Sequence, residues 1–94
     1  MRIVSTRRFE KAKKQLGQLD QRNVEKALRK FGSNPRLPSL HLEKLQGNIY
    51  SIKFSDKGRL SLEFEGGPEK LLEPSAIVTL RNAEIDHDEL YRNP

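Results

Sequence analysis

The 94-residue chain contains no cysteine, no tryptophan, a single methionine and two histidines. Without cysteine there is no disulfide, no thiolate metal site and no cysteine nucleophile. The histidines, His41 and His87, are far apart in sequence, so a zinc centre is not expected. No phosphate loop or cluster of metal ligands occurs, and no cofactor is expected. Hydrophobic residues make up 34% of the chain and charged ones 33%, which implies a thin core and a protein suited to a partner that covers apolar surface. No apolar run approaches the ~20 residues of a membrane span, and the first residues lack the apolar segment of a secretory signal. The reading is one soluble, cytoplasmic domain over residues 1–94 with no membrane partner.

What is present is organised around Leu45 to Phe64, which reads as two alternating strands joined by a tight turn. Tyr50, Ile52 and Phe54 share one face of the first strand, and Leu60, Leu62 and Phe64 share one face of the second. That face belongs to the core. The opposite face carries Ser51 and Lys53, then Arg59, Ser61 and Glu63. The turn Ser55-Asp56-Lys57-Gly58 suggests a left-handed Gly58, and matching the apolar faces sets Ile52 opposite Leu60 and Lys53 opposite Arg59. Two cations directly across a ladder repel, at a cost of roughly 0.2–1 kcal/mol. Such a pair forms either a seat for an anion, most naturally phosphate, or a solvated face relieved by Glu63.

Charge is distributed unevenly. Residues 1–32 carry 10 basic and 3 acidic side chains, residues 33–65 carry 5 and 4, and residues 66–94 carry 3 and 6. A basic front end suits a phosphate backbone or an acidic protein surface.

Arg2 to Ser5 reads as a short strand, after which Ser5 or Thr6 can cap a first helix. Phe9, Ala12, Leu16 and Leu19 recur at helical spacing, and Gly17 marks the stop. Asp20 can cap a second helix, whose stripe is Val24, Ala27, Leu28 and Phe31, ending at Gly32-Ser33-Asn34-Pro35. Residues 33–44 read as an extended connection containing His41, and Glu69 to Pro74 as a polar loop. Ser75 to Arg81 reads as a last strand, with Val78 and Leu80 inward and Arg81 on the polar side beside Lys53 and Arg59. Asp86 or Asp88 can start a closing helical turn in which His87 and Tyr91, four apart, lie on one face. The order β-α-α-β-β-β-short turn predicts an α+β fold: a mostly antiparallel four-stranded sheet with two N-terminal helices on one face and the other face partly open.

Taken in order, several features resemble the RelE/ParE superfamily of small bacterial toxins from type II toxin-antitoxin modules. These are the two amphipathic helices, Asn34-Pro35, Leu45-Gln46-Gly47 leading into Tyr50-Ser51-Ile52-Lys53-Phe54, the strand opening at Arg59-Leu60, and the closing His87-Asp88-Glu89-Leu90-Tyr91-Arg92. The resemblance implies a toxin neutralised by a cognate antitoxin. Its nuclease branch implies a metal-independent endoribonuclease that cuts messenger RNA on the ribosome and so inhibits translation. Carried over by position, Lys53, Arg59, His87 and Tyr91 are the expected catalytic residues, with Arg81 added from the argument about faces. Lys53, Lys57, Arg59 and Arg81 are the expected RNA-binding cations. The alternatives are a ParE-like toxin that inhibits DNA gyrase without nuclease activity, or a weak relative that only binds its antitoxin. Gly58 stands where RelE-like toxins commonly have an aromatic residue, and Glu84, Asp86, Asp88 and Glu89 surround His87 with negative charge that repels an RNA phosphate.

Overall fold

A computed structural model describes residues 1–94. The elements are β1 (Arg2–Ser5), α1 (Arg7–Lys14), α2 (Gln18–Ser33), β2 (Glu43–Gln46), β3 (Ile49–Lys53), β4 (Arg59–Glu63), β5 (Ile77–Glu84) and α3 (His87–Arg92), with short 3₁₀ turns at Pro38–Leu40 and Pro68–Leu72. The strands form one five-stranded sheet in the order β1-β5-β4-β3-β2. β1 runs parallel to β5 and the remaining neighbours are antiparallel, so the sheet is mixed.

The expected fourfold sheet is corrected to five strands by Gly47. Its positive φ of 51° allows a tight turn at Gly47-Asn48. Glu43–Gln46 therefore folds back on β3 instead of ending an extended connection, with Glu43 opposite Ser51 and Lys44 opposite Tyr50. The central hairpin has the expected register, Ile52 opposite Leu60 and Lys53 opposite Arg59. Its Gly58, however, does not take a left-handed conformation. It is required by close approach: a Cβ there would collide with the Phe54 ring and with Ser55 Oγ.

α1 and α2 pack on one face of the sheet. Phe9, Val24, Ala27 and Phe31 meet Tyr50, Ile52, Phe54, Leu60, Leu62, Phe64, Val78 and Leu80 in a single buried cluster, within which the Tyr50 and Phe64 rings stack at 4.4 Å. Each fully buried Phe, Leu or Ile contributes about 1.5–3 kcal/mol of transfer free energy. Thr6 begins α1 and ties it to the sheet: the Phe9 N–H donates to Thr6 Oγ1 at 3.1 Å, and that hydroxyl donates to the Leu80 carbonyl at 2.9 Å. α2 starts earlier than Asp20 predicts, with Gly17 in the cap position and the Gln21 amide donating to the Leu16 carbonyl at 2.8 Å. Leu19, expected inward, is 69% exposed because this early start turns it away from the core.

The second sheet face is covered where the sequence suggested it was open. α3 crosses β4 and β5 there, and Leu90, fully buried outside the main core cluster, is its anchor. A bulge sets Ser61 opposite Asn82 but Leu62 opposite Leu80, so Arg81 is the extra residue of β5. Through this bulge Leu80 and Ala83 both reach the core while Asn82 reaches the α3 side. No helix is long and apolar enough to cross a membrane.

Candidate functional site

Pairing across the sheet lays out the polar face in rows. Glu43, Ser51, Ser61 and Asn82 are successive partners from β2 to β5, and Lys53, Arg59 and Glu84 form the next row from β3 to β5. Ser51, Ser61 and Asn82 are buried, so this part of the face is polar and dry rather than solvated. α3 supplies the remaining groups. Asp86 caps it by accepting from the Asp88 N–H at 2.8 Å, and the four-residue spacing then brings the His87 and Tyr91 rings to 5.7 Å, as the sequence predicts.

Tyr91 reaches over the sheet edge and donates its hydroxyl to Glu43 Oε2 at 2.9 Å. Partial burial pushes the Tyr91 phenol above its ordinary value. The hydrogen bond to Glu43 and the charge of that carboxylate push the same way, while the Arg59 guanidinium and Ser51 oppose them. Tyr91 is therefore a neutral donor that holds a carboxylate in place, and Arg59 is near enough for its charge to be felt at the phenol. Ser51 Oγ is buried beneath this group without a hydrogen-bond partner. His87 Nδ1 lies 2.9 Å from Asp88 Oδ1, an ion pair when the ring is protonated, but makes no well-aligned hydrogen bond.

The structure thus brings Arg59, His87 and Tyr91 into one neighbourhood and adds Glu43, which sequence reasoning missed. The signal was there: Gly47-Asn48 is a two-residue hairpin dipeptide, and reading it as one would have made Glu43–Gln46 a strand with Glu43 beside Ser51. Arg59 also serves its own hairpin, since its Nη1 donates to the carbonyls of Ser55 and Asp56, both at 3.1 Å, and of Gly58 at 2.9 Å. Its position is accordingly fixed by the loop that precedes it.

The other candidates stand apart. Lys53 is opposite Arg59 in register, but its ammonium is 3.9 Å from Asp56 and its side chain lines a cavity against α2. Lys57 is exposed in the turn. Arg81 lies on the polar side, paired with Glu63 at 2.8 Å and donating from Nε to the Pro94 carbonyl at 3.3 Å. Arg8 and Asn82 hold the Asn93 carbonyl at 2.8 and 2.9 Å, fastening the segment after α3 to α1 and β5. His41 is exposed on the connection before β2. The largest cavity, about 630 Å³ beside Glu63, Glu65, Lys70 and Glu73, includes none of the candidate residues, and its carboxylates suit no phosphate. Asp86, His87 and Asp88 each place a metal-ligating atom within 4.8 Å of the others, but this is the geometry an acidic helix start produces by itself.

The frame that presents these groups is a mixed five-stranded sheet with a helix pair on one face and a short C-terminal helix carrying His and Tyr on the other. A solved structure, a YoeB/ParE toxin from Agrobacterium tumefaciens, superposes on 89% of this chain and 97% of its own with a TM-score of 0.67 at 12% identity. No protein-family model matches the sequence, and no curated protein matches it.

Proposed function

We propose that the protein is the toxin of a type II toxin-antitoxin module, a ribosome-dependent endoribonuclease that cleaves messenger RNA and is neutralised by a cognate antitoxin. One observation carries this reading. A carboxylate, an imidazole, a phenol and a guanidinium gather on one sheet face of a fold shared with a YoeB/ParE toxin. Metal-free RNA cleavage needs a general base, a general acid and a positioned cation, roles that these groups can fill.

In the proposed reaction the ribose 2′-oxygen attacks the adjacent phosphorus and the bond from phosphorus to the 5′-oxygen breaks, giving a 2′,3′-cyclic phosphate and a 5′-hydroxyl. Glu43 takes the 2′-OH proton, held in place by the Tyr91 hydroxyl. His87, on the same face of α3 as Tyr91, returns a proton to the departing 5′-oxygen. Arg59, braced by three loop carbonyls, stabilises the charge that grows on the phosphorane oxygens, while Lys53, opposite it in the sheet with its side chain toward α2, binds RNA beside the reacting group. Proton transfer of this kind is worth about 10²–10⁴-fold and a positioned charge about 10²–10³-fold. Arg81, engaged by Glu63, takes a supporting role in binding.

The test maps messenger RNA ends after incubation of the purified protein with RNA alone and with RNA on translating ribosomes. Cuts that require the ribosome support the reading. Intact RNA in both, together with loss of gyrase supercoiling activity, replaces it with the ParE-type reading. Intact RNA and active gyrase leave antitoxin binding as the sole role.

A further inference from the structure

Between α2 and the β3–β4 hairpin lies a cavity of about 210 Å³, lined by Lys26 and Lys30 from α2, Lys53 from β3, and Asn23, Ser39 and Ser55. Its floor is apolar, formed by Ala27, Leu40 and Phe54. Three lysines therefore border one small space, where Asp56 is the only acidic residue. Asp56 stands 3.9 Å from Lys53 on a fully exposed side chain, and neither Lys26 nor Lys30 has a carboxylate within ion-pair distance. Lys26 and Lys30 are also four apart on one helix, an arrangement that costs a few tenths of a kcal/mol when nothing neutralises it. On the same helix pair Lys13 of α1 meets Glu25 of α2 at 3.1 Å. What sets the cavity apart is that three lysines converge on it.

The geometry points to a phosphate-binding site here, separate from the group around Glu43 and Tyr91, that takes a backbone phosphate of single-stranded RNA. The lysines supply charge, the Asn23 amide and the Ser39 and Ser55 hydroxyls supply neutral donors, and the cavity has room for one phosphate group. Lys53 links the two places, since it lines the cavity and lies opposite Arg59 in the sheet. An RNA strand seated in the cavity is thereby led toward the proposed cleavage site. The choice of RNA as the source of the phosphate rests on the proposed function, but binding and cleavage are read separately, so either can fail alone.

The probes are inorganic phosphate, followed by NMR at the Lys26 and Lys30 amides, and a fluorescent single-stranded RNA, followed by anisotropy from 50 mM to 1 M salt. The variant is Lys26→Gln/Lys30→Gln. Lys11→Gln/Lys14→Gln, equally exposed on α1 and removing the same charge, is the control. Losing one phosphate contact lowers the salt slope by about 0.7, which amounts to about tenfold weaker binding at 50 mM salt with the difference vanishing near 1 M. We expect that loss in the α2 variant, an unchanged slope in the α1 control, and phosphate-induced shifts at positions 26 and 30 in the wild type and the control but not in the α2 variant. Equal loss in both variants reduces the site to diffuse charge and overturns the inference. So does an absence of RNA binding by the wild type, whether or not free phosphate binds.

Discussion

Replacing Leu90 with alanine should release α3 while leaving the rest of the fold intact. α3 has six residues, far too few to be helical alone, so its structure depends on what it touches. It is anchored by Leu90, fully buried on the sheet face opposite the main core, and by a few hydrogen bonds: Tyr91 to Glu43, and Arg8 and Asn82 to the Asn93 carbonyl. Each such bond contributes about 0.5–1.5 kcal/mol, whereas truncating a buried leucine costs about 2–5 kcal/mol. A loss near 3 kcal/mol raises the detached population roughly a hundredfold. The amides that close the helix, Leu90 N–H to Asp86 and Asn93 N–H to Glu89, should then exchange about a hundredfold faster, while β4 amides under the helix pair change much less. His87 and Tyr91 would leave the site together. Hydrogen exchange followed by NMR makes the comparison. If α3 and β4 amides accelerate by the same factor, α3 is part of the global folding unit and the reasoning fails; unchanged α3 protection would show that Leu90 is not the anchor.

Three further outcomes follow from named contacts. Gly58→Ala forces the Phe54 ring or Ser55 to shift, and should lower the Tm by roughly 5–20 °C in a thermal melt. Thr6→Ala removes both the α1 cap and the bond to the Leu80 carbonyl, and should cost about 1 kcal/mol by urea titration. For Tyr91, the raised phenol titration means that the folded state favours the neutral ring. That contribution is present below the ordinary value of about 10 and is lost as pH rises through the higher folded value. In Glu43→Gln the upward push of the carboxylate disappears, so a ¹³C NMR titration of the Tyr91 ring should move to lower pH; an unmoved curve would refute the Glu43 contact.

Much of the core was legible because period-two alternation in Tyr50-Ile52-Phe54 and Leu60-Leu62-Phe64 leaves a single register that buries both sets. The pairing of His87 with Tyr91 was legible from helical spacing alone. What escaped the sequence depended on backbone conformation or on contacts between distant segments. β2 depends on the turn at Gly47, which hid Glu43. The covered polar face depends on where α3 lands, and nothing local to Ser51 or Ser61 distinguishes a buried serine from a solvated one. Lys53 and Arg81 were assigned to the right face, but their final partners, the α2 cavity and Glu63, lie in segments remote from each.

The most direct test of the account is the single-turnover cleavage rate of messenger RNA on programmed ribosomes, measured for the wild type, Glu43→Gln, Arg59→Ala and His87→Ala, each first shown to be folded. Losses of about 10²-fold or more are expected in all three variants, because each removes a proton carrier or a positioned charge. Wild-type rates in Glu43→Gln and His87→Ala would contradict it, since the group gathered around Tyr91 would then have no part in the chemistry.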